Sequence, residues 1–281
     1  MIRSYSPKRT GSKDLNRLNI TCASLLALTL TTTAAFAAPC GNTGAGFKGW
    51  KADFATEAKK AGVKQKGLAA LASATYATKT IAADRNQKSF KYTLEKFMRV
   101  RGSATIVSQG RKKKASNAAF FASLEKRYGV PAGVIIAIHG METGFGRYMG
   151  DSAVVSAITT LTYDCRRSAF IKPHAIGALK LVDKGAINAM TQGAKHGELG
   201  HTQFLPGNAL KYGVDANGDG KVDFYNLTDA LASTANFLKG KGWKRGKGYQ
   251  IGQRNYKIIQ AWNAAGVYQK AIAIMAADID R

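Results

Sequence analysis

The chain has 281 residues, 45% of them hydrophobic, which is room for one large domain or two small ones with a real core. Its net charge of +25 favours a polyanionic partner or surface. No RNA-binding or helix-turn-helix signature accompanies the charge, so it does not read as a specific nucleic-acid binder.

The first element in chain order is a leader. Arg3, Lys8, Arg9, Lys13 and Arg17 form a basic start, 20–37 is apolar and small, and Ala35-Phe36-Ala37 is an A-x-A cleavage site. Pro39 directly before Cys40 argues against a lipoprotein acceptor. The stretch is too short and too rich in Thr for a membrane span. The expectation is a signal peptide at 1–37 and an exported, periplasmic, monomeric chain at 38–281 with no membrane span. Removing five Lys/Arg with Asp14 leaves the charge at +21. In that compartment an anionic cell-envelope polymer fits the charge better than nucleic acid; Arg111-Lys112-Lys113-Lys114 reads as a solvated face. Of three cysteines, Cys22 leaves with the leader. Cys40 and Cys165 remain as an even pair in an oxidising compartment, which predicts a disulfide.

Helical spacing then recurs. Phe47, Trp50, Phe54 and Ala58 form one stripe; Leu68, Leu71, Ala72 and Tyr76 a second; Phe90, Leu94, Phe97 and Met98 a third; Phe120, Phe121, Leu124 and Tyr128 a fourth. Aromatics at this spacing belong to a core. Further helices are predicted over 151–161 and 170–183, and no alternating strand pattern stands out, so the class is mainly α.

The stretch 129–147, GVPAGVIIAIHGMETGFGR, carries the chemistry. Pro131 suits a first helical turn, and Val134, Ile135, Ile138, Met141 and Glu142 fall on one stripe. Gly144 and Gly146 supply the stop. A carboxylate at the end of a buried face loses hydration, so the pKa of Glu142 is expected to rise, as a general acid requires. Further on, 197–213 (GELGHTQFLPGNALKYG) places Gln203, donor and acceptor both, beside apolar Phe204 and Leu205, a composition that could line a sugar-binding cleft.

Asp215-Ala216-Asn217-Gly218-Asp219-Gly220-Lys221-Val222-Asp223 matches the start of an EF-hand calcium loop, with oxygen ligands at positions 1, 3 and 5 and Gly at 6. Asn226 stands where the closing Glu belongs, and Asp229 is the next carboxylate able to close the site. His139-x-x-Glu142 has two ligand types one turn apart, but no HExxH or cysteine cluster supports zinc. A G-x-S-x-G elbow is absent as well.

Taken together, YGVPAGVIIAIHGMETGFGR, Leu161-Thr162-Tyr163-Asp164-Cys165-Arg166-Arg167, GELGHTQFLP, DANGDGKVDF, ALASTANFLKGKGW and Trp262-Asn263…Tyr268 resemble one family in order: lytic murein transglycosylases of the membrane-bound B type, in a soluble exported form. The resemblance implies a lysozyme-like α-rich core with a helical N-terminal part, and peptidoglycan glycan strands cut between N-acetylmuramic acid and N-acetylglucosamine. It implies Glu142 as the single catalytic carboxylate, and Gln203, Phe237, Trp262, Asn263 and Tyr268 as the residues that hold the sugars. A structural calcium ion would bind Asp215, Asn217, Asp219, the Lys221 carbonyl and Asp229; the chemistry itself needs no cofactor. Phe237 and Trp262 replace tyrosines of the family pattern, and Ala194 a serine, which removes hydroxyls. Two rivals remain: a hydrolytic muramidase with Glu198 or Asp164 as base, and a basic, calcium-stabilised wall-binding protein without turnover. Among the acidic residues only Glu142 is expected in apolar surroundings; Asp151, Asp164 and Glu198 are not.

Overall fold

The computed structural model describes residues 39–86 and 91–281; the leader at 1–37 with Cys22, and also Phe90, lie outside the described residues. Among the described residues a short 3-10 turn leads into α1 (Phe47–Lys60), whose Phe47, Trp50, Phe54 and Ala58 face the core on the predicted stripe. Its neighbour α2 (Gln65–Ser73) departs from expectation: Gly67, Ala70 and Leu71 are buried, Ala72 is exposed, and Tyr76 lies beyond the helix end. The Asp183 carboxylate sets this orientation by accepting the amides of Lys64 at 2.6 Å and Gly67 at 2.7 Å, which satisfies the free N–H groups of the α2 start.

Next come α3 (Thr78–Arg85), α4 (Leu94–Val100), α5 (Ser103–Ser116) and α6 (Ala118–Tyr128). Phe97 of α4 is wholly buried, and Phe121, Leu124 and Tyr128 of α6 follow the predicted stripe. Unexpected from periodicity is α5, which buries only Ile106 and Gly110. Gly110 is there for close approach, since a Cβ would come within 2.8 Å of Ile279 and 2.9 Å of Ile136. Nor is its lysine run all solvated, because Lys114 pairs with Asp280 at 3.0 Å.

The centre of the fold is α7 (Ala132–Thr143), flanked at its start by Pro131 as N-cap residue, one position earlier than expected. A single buried stripe understates it: every residue is buried except Glu142, which is half-buried. A helix apolar all round must be enclosed by others. The remaining elements are β1 (Ser152–Ala153), α8 (Val154–Tyr163), α9 (Ser168–Asp183), β2 (Gln192–Gly193), α10 (Pro206–Tyr212), α11 (Leu227–Gly240), α12 (Tyr256–Trp262) and α13 (Gly266–Asp280). Of these, α13 lies against α7, with α5, α6 and α11 closing the other sides. The Asp280 carboxylate accepts the Gly133 amide at 2.9 Å and the Tyr249 hydroxyl at 3.1 Å, so the start of α7 is tied to the end of α13. The antiparallel β1–β2 pair (Ser152 opposite Gly193) brings the loop after α9 against the entrance to α8. Cys40 and Cys165 form the expected disulfide, beside a Gly41 N–H bond to the Tyr163 carbonyl at 2.9 Å. The mainly α class therefore holds. No helix among the described residues is long and apolar enough to cross a membrane.

Candidate active site

α7 stops because Gly144 takes the left-handed conformation (φ 56°, ψ 42°) that its missing Cβ permits. Phe145 follows at φ 65°, one of two non-glycine residues with positive φ among those described; Gln203 at 56° is the other. Thr143 holds this turn, its hydroxyl donating to the His201 carbonyl at 2.6 Å and accepting the Gly146 amide at 2.9 Å. Below it His139 Nε2 meets His201 Nδ1 at 3.3 Å. Burial above all, with His201 and Lys113 nearby, pushes His139 down to about 3, so this ring is neutral at physiological pH and structural.

The turn places Glu142 at the wall of a cavity of about 580 Å³, with Gln203, Trp262, Asn263 and Tyr268 on the same wall. Tyr268 donates its hydroxyl to Glu142 Oε1 at 2.6 Å, and Trp262 its indole N–H to the same oxygen at 3.0 Å. Burial raises the pKa of Glu142, and these two donors together with the Arg101 charge oppose the rise without cancelling it. With Oε1 occupied by two donors, the proton of the neutral carboxyl belongs on Oε2, the oxygen left for a ligand. Tyr268 in turn is held well above its ordinary pKa, by burial first and the Glu142 charge second, so it remains a donor.

Four of the five residues expected to hold sugar thus line the cavity. Phe237 does not. Its side chain is 1% exposed and packs edge-on against Phe204, Tyr212 and Trp262, with ring centroids 6.1, 5.1 and 5.2 Å away. It supports the Trp262 ring from behind, because the α11 face that carries it points into the core. Gln203 is pinned by its own amide, which donates to the Gly200 carbonyl at 2.8 Å and the Met149 carbonyl at 3.3 Å.

The cavity also holds residues that composition and spacing did not single out as a group: Arg101, Arg167, His196 and Glu198. The expectation for Glu198 is overturned. Desolvation lifts its carboxyl to about 7, with the Glu142 charge adding to the rise. Asp164 is buried elsewhere and paired with Arg85 at 2.8 Å, while Asp151 is exposed; neither lines the cavity.

Comparison with known proteins fits this site. The profile of the family described as "Transglycosylase SLT domain" matches residues 46–253. The chain belongs to that family. Membrane-bound lytic murein transglycosylase B of Escherichia coli is 34% identical over 121 residues, 42% of this chain and 34% of that protein's length. The crystal structure of SltB3 from Pseudomonas aeruginosa in complex with NAG-NAM-pentapeptide superposes with a TM-score of 0.74 at 26% identity, covering 82% of this chain and 78% of that one. Soluble lytic transglycosylase SltB1 from Pseudomonas aeruginosa shares the fold (TM-score 0.72, 23% identity, 82% of this chain and 97% of that one). The family match ends before Trp262 and Tyr268, so both donors to Glu142 lie outside the matched segment of this transglycosylase SLT chain.

The predicted calcium loop folds as a set of side-chain-to-amide turns. Asp215 accepts the Gly218 and Gly220 amides at 2.7 and 2.8 Å, and Asp219 accepts that of Lys221 at 2.9 Å. Asp229, wholly buried, accepts the amides of Ala216 and Asp223 at 2.8 and 3.0 Å. Asn226, in the place of the missing Glu, caps α11 by accepting the Thr228 amide at 2.9 Å. The all-oxygen donor set suits a hard cation. Even so, no group of three or more His, Cys, Asp or Glu side chains among the described residues converges on one point.

Proposed function

We propose that the protein is a lytic transglycosylase that cleaves the β-1,4 linkage between N-acetylmuramic acid and N-acetylglucosamine in peptidoglycan. The observation that carries this reading is the state of Glu142: a carboxyl with raised pKa at a cavity wall, oriented through Oε1 by Tyr268 and Trp262. Glu142 gives its proton to the glycosidic oxygen as the bond to C1 breaks. The resulting carboxylate takes the proton of the C6 hydroxyl of the same muramic acid, whose oxygen closes on C1 to form the 1,6-anhydro ring. A tethered nucleophile has a large effective concentration, so it outcompetes water without a second base. No cofactor enters this chemistry.

Gln203 and Asn263 offer hydrogen bonds to the sugars, and Trp262 and Tyr268 shape the wall they meet. SltB3, the relative bound to NAG-NAM-pentapeptide, supports a peptidoglycan substrate. Export through the leader at 1–37, action in the periplasm as a monomer, and a stabilising calcium ion on Asp215, Asn217, Asp219, Lys221 and Asp229 complete the proposal. They rest on the sequence patterns above.

A second reading, hydrolysis, draws on the presence of Glu198 in the same cavity, since ordinary glycosidases use two carboxyl groups. Product masses separate the two. Digested peptidoglycan should yield 1,6-anhydro-N-acetylmuramic acid ends, one water lighter than hydrolytic products, and Glu142→Gln should lose about 10²–10⁴-fold in rate. Reducing ends would replace the transglycosylase by a hydrolase. Undiminished turnover by Glu142→Gln would remove Glu142 from the acid's role.

A further inference from the structure

Glu198 is the one cavity carboxyl that the proposed mechanism leaves without a task. It sits on the loop that the β1–β2 ladder and the Ala194 amide (3.0 Å to the Glu198 carbonyl) hold against the α8 entrance. Its Oε2 is shut away from solvent and has no hydrogen-bond partner. Its nearest basic side chain is no counter-ion: His196 Nδ1 stands 3.7 Å from Oε1, but burial, with Arg167 and Arg166 nearby, holds His196 down to about 4, so the ring is neutral. Arg167 faces the same cavity but is ion-paired with Asp84; its charge lowers the Glu198 pKa without cancelling the rise. A buried carboxyl that is neither paired nor fully hydrogen-bonded is costly unless it is neutral or meets a ligand.

Building on the transglycosylase reading, we propose that Glu198 is a second substrate-contacting residue, hydrogen-bonding an uncharged polar group of the amino sugar at the linkage that Glu142 protonates. The cavity wall it shares with Glu142 puts it within reach of whatever fills that space. About a fifth of its side-chain surface (22%) is open where it lines the cavity, so a bound hydroxyl or acetamido group can meet the carboxyl there. Its carboxyl keeps a proton to about neutral pH, chiefly through burial. In that form Glu198 donates as well as accepts, and two negative charges do not meet across the substrate. A water-activating base would have to be ionised there, so this role and hydrolysis oppose each other.

The test is binding without turnover. In a Glu142→Gln background, soluble N-acetylglucosamine–N-acetylmuramic acid tetrasaccharide peptide is titrated calorimetrically at pH 5.5 and 8.5. Between these values Glu198 is the cavity carboxyl that titrates: burial, the chief cause of its raised pKa, survives the loss of the Glu142 charge, and His196 is neutral throughout. Affinity should fall about fivefold at the higher pH, the size of one ordinary hydrogen bond. Adding Glu198→Ala should cost a similar factor at pH 5.5 and abolish the pH dependence. Glu198→Gln should recover most of that loss and bind equally at both pH values. Equal affinities for the parent and the Glu198→Ala double variant at both pH values would overturn the proposal. If the alanine variant fails to unfold cooperatively, Glu198→Gln decides alone, because a pH dependence surviving in it overturns the proposal too. A failure of the transglycosylase reading shows itself separately, as reducing-end products from the wild type.

Discussion

Tyr268→Phe tests whether the donors to Glu142 set its acidity. The substitution removes one hydroxyl from a buried ring and with it the 2.6 Å bond to Glu142 Oε1. Hydrogen bonds to charged groups are worth about 1.5–3 kcal/mol, and this one holds the Glu142 pKa down. The Trp262 N–H remains at 3.0 Å and takes up part of the loss, which favours the lower figure. The sign is definite. Tyr268 favours the charged form, so its removal raises the pKa, and activity that needs protonated Glu142 should persist to higher pH. On the acid plateau kcat should fall by less than about tenfold, because a weaker acid transfers its proton more slowly. The assay is release of anhydro-muropeptides as a function of pH, with kcat and kcat/KM fitted separately. An alkaline limb that stays in place or moves to lower pH would refute the argument, as would a loss as large as that of Glu142→Gln.

Two further predictions concern stability. Replacing Cys40 and Cys165 by Ser should lower stability by about 2–5 kcal/mol in urea unfolding while leaving the cavity residues in place; unchanged stability would show that the bridge constrains nothing. If the 215–229 loop binds calcium, saturation at about 100-fold over Kd should add about 2.7 kcal/mol and raise Tm. The exposed Asp219, changed to Ala, should cancel that rise without much effect on the metal-free protein, and a Tm indifferent to calcium and chelator would end the assignment.

What could be read from the chain was local and periodic. The α1 and α6 stripes and the end of α7 at Gly144 are where the spacing placed them, and the Cys40–Cys165 pair is the one the cysteine count left. Less legible were α2, turned by the distant Asp183, and α5, whose contact with the core depends on a glycine that no hydrophobic pattern registers. Phe237 looked like a sugar platform because it stands where the family resemblance has a tyrosine; its helix face buries it behind Trp262.

The sequence by itself determined that one carboxylate ends an apolar helix, since helical periodicity and glycine stops are properties of neighbouring residues. Only the tertiary structure decided how that carboxylate behaves. Tyr268 and Trp262 come to Glu142 from 126 and 120 residues away, and Glu198 reaches the same cavity on a loop fixed by a two-residue ladder. Acidity depends on desolvation and on donors within about 3 Å, and those are set by which helices pack together, which no stretch of chain encodes alone.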